Sequence, residues 1–233
     1  MTVAILQARM SSTRLPGKVL MPLAGRPMIS RQIERLARCT KLTRLVVATS
    51  RDPTDDPLHA HLTAEGVDVF RGELQDVLTR YLDCAHHFGL SGDIVRLTAD
   101  CPLIDPVVVD EAIGLRARSG ADYVSNGRDR TYPRGLDVEV FPLSALEQAG
   151  RRAVDDYDHE HVTPYLYNNP GSFTRCDLIQ TGRNDSRLRW TVDTPEDYAF
   201  VARVYDALYP TRPDFTSEDI RALPFSHFEP EDL

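Results

Sequence analysis

At 233 residues the chain has room for one α/β unit with a substantial core, and its 27% charged and 42% hydrophobic residues are ordinary for a globular protein. No apolar run approaches the roughly 18 residues of a membrane-spanning helix, which excludes an integral helical membrane protein. A net charge of −8 argues against binding nucleic acid over a broad surface, so cations that serve a ligand must be gathered locally. The four cysteines, Cys39, Cys84, Cys101 and Cys176, are scattered without a Cys-x-x-Cys pair. They read as free thiols, and the N-terminus lacks the form of a signal peptide, so a cytoplasmic location is expected.

Val3 to Leu6 predicts a short buried strand. It runs into a polar loop, residues 9–18, holding Arg9, Ser11, Ser12, Thr13, Arg14, a Pro-Gly pair and Lys18. Three cations, three hydroxyls and a glycine turn make a trap for a polyanion: backbone N–H groups hold oxygens while Arg and Lys neutralise charge. Neither the Walker A spacing nor Gly-x-Gly-x-x-Gly is present. A helix follows from Pro27, with Ile29, Ile33, Leu36 and Ala37 on its apolar stripe and Arg31, Arg35 and Arg38 away from it. Strands are predicted at 45–49, 67–70 and 94–98, with helices over 57–64 and 77–85 between them. This alternation predicts an α/β fold with a mostly parallel, doubly wound sheet. The strand-ending loops 9–18, 49–53, 71–76 and 98–105 should converge on one pocket.

Past the fourth strand, Asp100 is a lone carboxylate placed to bind a hard cation, with a turn former as the alternative reading. Asp105, before Pro106 and a helical stripe, reads as an N-cap. Cys101 reads as a small buried residue rather than a reactive thiol. Residues 121–126 predict a strand ending in polar groups. Leu136, Val138 and Val140 alternate with Asp137 and Glu139 in another. His159 and His161 are two apart and His-Glu-x-x-His is absent, so a zinc site is rejected. Leu188, Trp190 and Val192 alternate in a predicted strand with Asp193 at its end. Thr194 then caps a helix begun by Pro195, and Glu196 and Asp197 suit its first turn. Thr216 or Ser217 caps a short helix near the C-terminus, and Glu229 to Leu233 are expected to be loose.

Three stretches carry a resemblance. Gln7 to Lys18, followed by Gly25-Arg26-Pro27-Met28, resembles the opening signature of the cytidylyltransferase family, which includes the synthetases that activate 3-deoxy-octulosonic and sialic acids with CTP. Within it the chain looks most like the spore-coat polysaccharide biosynthesis protein F branch. Thr98 to Ile104 resembles the family's second motif, whose aspartate binds the catalytic metal, although Cys101 stands where other branches often differ. Asp193 matches the late aspartate, and Glu160-His161-Val162-Thr163-Pro164 resembles a run near the acceptor pocket.

The resemblance implies a single-domain fold of the nucleotide-diphospho-sugar transferase type with a small β-rich insertion. Residues 121–186 would bind the acceptor, and a homodimer would form through 121–170. It implies transfer of CMP from CTP to an acidic 2-keto-3-deoxy sugar, with Arg9, Lys18 and Asp100 catalytic and Mg²⁺ on Asp100 and Asp193. Leu6, Gln7, Ala8, Arg9, Ser11, Arg14, Lys18, Arg71 and Arg96 would bind the nucleotide, with Ser50 a further candidate for the base. Arg134, Asp137, Glu139, Glu160 and His161 would meet the acceptor, and Arg51, Arg71 or Arg134 would hold its carboxylate. Nucleic acid and membrane insertion are not expected. Two other classes stay open. A glycosyltransferase using a nucleotide-sugar donor would more typically show Asp-x-Asp, where this chain has Asp100 alone. A non-catalytic nucleotide-binding protein would bind without turnover.

Overall fold

The computed structural model describes residues 1–225; the predicted loose end, Glu229 to Leu233, lies outside them. The chain opens with β1 (Thr2–Gln7), a 3₁₀ turn at Lys18–Leu20, the ribbon β2 (Pro22–Leu23) and β3 (Arg26–Pro27), and α1 (Met28–Leu36). It continues through β4 (Arg44–Ser50), a second 3₁₀ turn at Pro53–Asp55, α2 (Asp56–Ala64), β5 (Val69–Gly72), α3 (Val77–His87), β6 (Asp93–Thr98) and α4 (Pro106–Ser119). Residues 121–186 add β7 (Tyr123–Ser125), β8 (Glu139–Pro142), α5 (Leu143–Arg152), α6 (Asp156–His161), α7 (Pro164–Asn168) and β9 (Arg175–Asp177). Two helices close the fold, α8 (Pro195–Leu208) and α9 (Ser217–Arg221).

One seven-stranded sheet runs in the order β5-β4-β1-β6-β8-β7-β9. The first four strands are parallel, with Ile5 opposite both Val46 and Arg96. β8 runs antiparallel to β6 and to β7, and β9 is parallel to β7. The predicted doubly wound, mostly parallel sheet is what forms. The three short strands of 121–186 extend that sheet, and β8 pairs directly with β6.

Strand alternation sends side chains to two cores. From β1, Ala4 and Leu6 pack among residues of α1, α2, α4 and α8. Val3 and Ile5 pack on the other face among residues of α3, α5 and α7. Asp105 caps α4 as predicted, accepting from Val107 N at 2.9 Å. Thr194 and Asp197 form a reciprocal capping box on α8, and Thr216 and Asp219 form another on α9. No helix of the described residues is long and apolar enough to cross a membrane.

Three local expectations are corrected. The strand predicted at 67–70 begins at Val69, because Gly66 and Val67 close α2 by hydrogen bonds back to Thr63 and Leu62. Arg31 and Arg35, although away from the apolar stripe, are buried, and they lie over the rings of Tyr209 and Phe215 in the segment between α8 and α9. Arg35 donates to Ile104 O at 2.7 Å. A stripe count sees only apolar residues, and long cationic stems bury equally well when a carbonyl meets the head group. The segment 188–192 buries Leu188, Trp190 and Val192 as the alternation predicts, but forms a single bridge rather than a strand. Trp190 N bonds to Arg134 O and Val192 N then turns to Asp100 O, so no one partner continues the ladder.

That bridge depends on Gly135. Its φ is +103°, and an added Cβ would lie 2.6 Å from the Trp190 carbonyl carbon. Gly135→Ala is expected to destabilise the fold by about 2–3 kcal/mol, read as a lower urea midpoint with an unchanged m-value.

Candidate active site

Two cavities meet at the carboxyl ends of β1 and β6, and Thr98 lines both. The first, about 250 Å³, is walled by the loop after β1 and includes Arg9, Ser12, Thr13, Arg14 and Lys18, together with Arg80, Asp100 and Asp193. The loop folds back on itself: Gly17 N and Ser12 N both donate to Met10 O at 2.9 Å. Gly17 takes φ +74°, which L side chains rarely adopt, and this turn delivers Lys18 into the site. Asp55 fixes the start of the loop. Its fully buried carboxylate accepts from Met10 N at 2.7 Å, Thr49 Oγ1 at 3.0 Å and Ser50 N at 3.1 Å, and also from Ser50 Oγ.

Lys18 is 8% exposed, and its ammonium donates to Val192 O at 2.6 Å and Asp193 Oδ1 at 2.8 Å. Arg14 and Arg189 meet the other oxygen of Asp193 at 3.0 and 2.7 Å. The position of Asp193 is set by α8: the Asp197 carboxylate accepts from Asp193 N at 2.8 Å and Thr194 N at 3.0 Å. Burial alone would raise the Asp193 pKa, but the Lys18 hydrogen bond and the charges of Lys18, Arg14 and Arg189 outweigh it and hold the carboxyl below its usual range. A depressed folded-state pKa stabilises above the unfolded value and is lost as pH falls through the folded one. Stability therefore falls below about pH 4. In Asp193→Asn, urea midpoints measured on either side of that pH are expected to differ less than in the wild type.

Asp100 is placed differently. Thr98 Oγ1 donates to its Oδ1 at 2.5 Å and the Cys101 thiol at 3.4 Å, and among the described residues it forms no ion pair. Burial, then the Asp100 charge, holds the Cys101 thiol well above its ordinary pKa, so it stays a protonated donor. Among the described residues no group of three or more His, Cys, Asp or Glu is placed to hold a metal. A magnesium ion needs only one or two carboxylates when phosphate oxygens and water complete its shell. The unpaired Asp100, on a cavity lined by cations, fits that requirement. Asp193 fits it less directly, since both its oxygens already meet cations.

The second cavity, about 280 Å³, is walled by the ends of β6, β7 and β8, the loop 127–130 and α6 and α7. Tyr123, Tyr157 and Tyr167 line it with Arg96, Arg128, Arg130, Asp137, Glu139, His161 and Thr163. Glu139 is its structural hub: Arg96 and Tyr123 OH donate to it, and Thr163 Oγ1 does so at 2.8 Å. Burial and Glu139 raise the Tyr123 hydroxyl well above its usual pKa, which keeps the donated proton in place. Thr163 is delivered by a γ-turn at Val162, φ 73° and ψ −53°, in which Thr163 N donates to His161 O at 2.9 Å. A β-branched residue is strained there, and its complete burial and the Thr163–Glu139 bond hold it.

Of the residues singled out in the sequence, Gln7, Ala8, Arg9, Arg14, Lys18, Asp100 and Asp193 come together around the first cavity. Asp137, Glu139 and His161 line the second, and Arg96 stands with them rather than with the loop cations. Leu6 is wholly in the core, and Ser11 is exposed while its neighbours Ser12 and Thr13 line the cavity. Arg71 is engaged elsewhere, donating to Ser50 O at 2.8 Å and pairing with Asp56 at 2.7 Å. Ser50 is buried against Asp55, and Arg51 is exposed and pairs with Glu73. Arg134 and Glu160 are exposed and line neither cavity. Arg80 escaped notice because it lies off the apolar stripe of its helix. It is 1% exposed and donates to Glu73 O at 2.6 Å, with its guanidinium against the loop cations.

The chain is similar to known proteins over most of its length. The cytidylyltransferase family model matches residues 3–220. The spore coat polysaccharide biosynthesis protein SpsF of Bacillus subtilis is 35% identical over 230 residues, 94% of this chain and 92% of its own. A cytidylyltransferase structure from Leptospira borgpetersenii superposes with a TM-score of 0.90 at 33% identity, over 100% of this chain and 98% of that one. A 3-deoxy-manno-octulosonate cytidylyltransferase of Geobacter sulfurreducens is 36% identical over 120 residues, 51% of this chain and 46% of its own. With a cation-lined loop, an unpaired aspartate beyond β6 and a family match across residues 3–220, this chain belongs to the cytidylyltransferase family.

Proposed function

We propose that the chain transfers CMP from CTP to an acidic 2-keto-3-deoxy sugar of the octulosonic or nonulosonic type, releasing pyrophosphate, for the building of a surface polysaccharide. The observation that carries this reading is the meeting of the two cavities at Thr98, whose hydroxyl donates to Asp100 on the wall of the cationic one. A triphosphate fits the cationic side, where Arg9, Arg14, Lys18 and Arg80 neutralise its charge. A sugar fits the tyrosine-lined side, its ring faces against aromatic walls and its hydroxyls within reach of polar groups.

The acceptor hydroxyl oxygen forms the new bond to the α-phosphorus as the bond to the bridging oxygen breaks in line. No covalent intermediate is needed, and the work of the chain is positioning and charge neutralisation. Thr98 orients Asp100 through its hydroxyl, and Asp193 holds Arg14 and Lys18 on the cavity wall. Mg²⁺ held by Asp100, with Asp193 on the wall of the same cavity, would neutralise phosphate charge and lower the pKa of the attacking hydroxyl. A cytoplasmic location and a homodimer joined through 121–170 belong to the same reading. Exposed Val154 and Tyr157 within that segment support the interface, and light scattering of the purified chain tests it.

The experiment is incubation with CTP, Mg²⁺ and a panel of 2-keto-3-deoxy acids, followed by mass spectrometry. A CMP-sugar formed with one acid supports the reading. Consumption of a nucleotide-sugar in place of CTP contradicts it.

A further inference from the structure

Three arginines line the tyrosine-walled cavity, and two of them are already neutralised. Arg96 is bound to Glu139, and Arg130 meets Asp137 at 2.5 Å, while Asp137 also accepts from Gly135 N at 2.8 Å. Among the described residues Arg128 has no carboxylate partner. Three cations against two carboxylates leave this wall with one surplus positive charge.

Arg128 is also held in a pose suited to an anion. Its guanidinium lies over the Tyr167 ring, 4.0 Å from the centroid. Stacking of that kind covers the face of the planar group and leaves its in-plane N–H donors free, the arrangement that takes a carboxylate two-pronged. The loop presenting it is rooted rather than loose. Asn126 is fully buried, donates to Leu136 O at 2.7 Å and accepts from Val138 N at 2.9 Å. The Ser125 hydroxyl accepts from Gly127 N at 2.9 Å one residue before Arg128.

We propose that Arg128 is the anion anchor of the acceptor site, and that the acceptor carries a single carboxylate which this guanidinium holds. The assignment rests on the cytidylyl-transfer reading for which molecule enters the cavity, but not for the charge it must carry. It replaces Arg51, Arg71 and Arg134, which stand outside this cavity. A monoanion matches the one surplus charge. A sugar phosphate, nearly doubly charged, would leave an uncompensated negative charge beside Asp137 and Glu139.

Titration calorimetry of the full chain tests this without requiring turnover. The probes are 3-deoxy-octulosonic acid, its methyl ester and a sugar 1-phosphate, each added with Mg²⁺ and a non-hydrolysable CTP analogue. Arg128→Gln is expected to weaken the acid about 30-fold while leaving the ester and the CTP analogue within about twofold. Arg128→Lys, which keeps the charge but not the fork, should fall between. Arg128 is exposed and its loss strands no buried partner, so the variant is expected to keep the wild-type urea midpoint. Unchanged affinity for the acid, equal weakening of acid and ester, tighter binding of the sugar phosphate, or no binding of the acid to the wild type would each overturn the assignment. Arg128-dependent binding of the acid, with no pyrophosphate released when CTP itself replaces the analogue, would instead uphold the anchor and sink the transfer reading.

Discussion

Asp100→Asn is expected to lower pyrophosphate release from CTP by about 10³-fold while leaving the urea midpoint and nucleotide affinity close to wild type. The expectation follows from how this carboxylate is held. Its recorded partners are a hydroxyl and a thiol, Thr98 and Cys101, and both can meet an asparagine oxygen as well as a carboxylate. No ion pair among the described residues is broken, so the fold loses little. The negative charge on the wall of the cation-lined cavity is lost, and with it the group best placed to hold a cation against the phosphates. Steady-state kinetics with circular dichroism on the same sample separates the two effects. A variant within tenfold of wild type would mean that Asp100 is only a turn former, the alternative reading of its place in the sequence.

Lys18→Met has a double effect, because Lys18 belongs both to the fold and to the site. Its ammonium is buried, bonded to Val192 O and paired with Asp193. Methionine keeps the stem and removes the charge. A buried carbonyl then loses its donor and Asp193 keeps Arg14 and Arg189, so a loss of about 2–3 kcal/mol is expected in urea unfolding. The catalytic loss is larger, about 10²-fold or more in kcat/KM for CTP, since a cation facing the triphosphate is gone. Pairing the change with Asp193→Asn sorts the two. The double variant should recover part of the stability, because the Oδ1 carboxylate oxygen that loses Lys18 is no longer charged, but none of the activity. Recovery of both would show that Lys18 acts on the fold alone, and recovery of neither would show that the stability loss does not come from the Lys18–Asp193 pair.

The parts of this molecule that are local in sequence could be read from it. The β1 strand and the cationic loop follow one another directly, and Asp105, Thr194 and Thr216 cap their helices within three residues. Asp100 and Asp193 are about ninety residues apart in sequence and were linked only by the family resemblance. The fold brings them to one cavity through the Val192–Asp100 main-chain bond. What could not be read is tertiary. Arg31 and Arg35 look like surface charges until Tyr209 and Phe215 cover them, and Arg80 looks like the polar face of α3 until it is seen on the wall of the loop's cavity. The second cavity is built from β7, β8, α6 and α7, and no spacing rule places Arg128 over Tyr167 across some forty residues. The clean alternation of Asp137 and Glu139 with their apolar neighbours did mark which side chains share a face, but not that this face is a cavity wall.

The most direct measurement is pyrophosphate release by the full chain, with CTP, UTP, ATP or GTP and Mg²⁺, against 2-keto-3-deoxy acids of eight and nine carbons. Asp100→Asn is assayed in parallel. Release with CTP and at least one acid, absent with the acid omitted and lost in the variant, is the expected result. Release that favours another nucleotide, or that survives the loss of Asp100, would contradict cytidylyl transfer at this site.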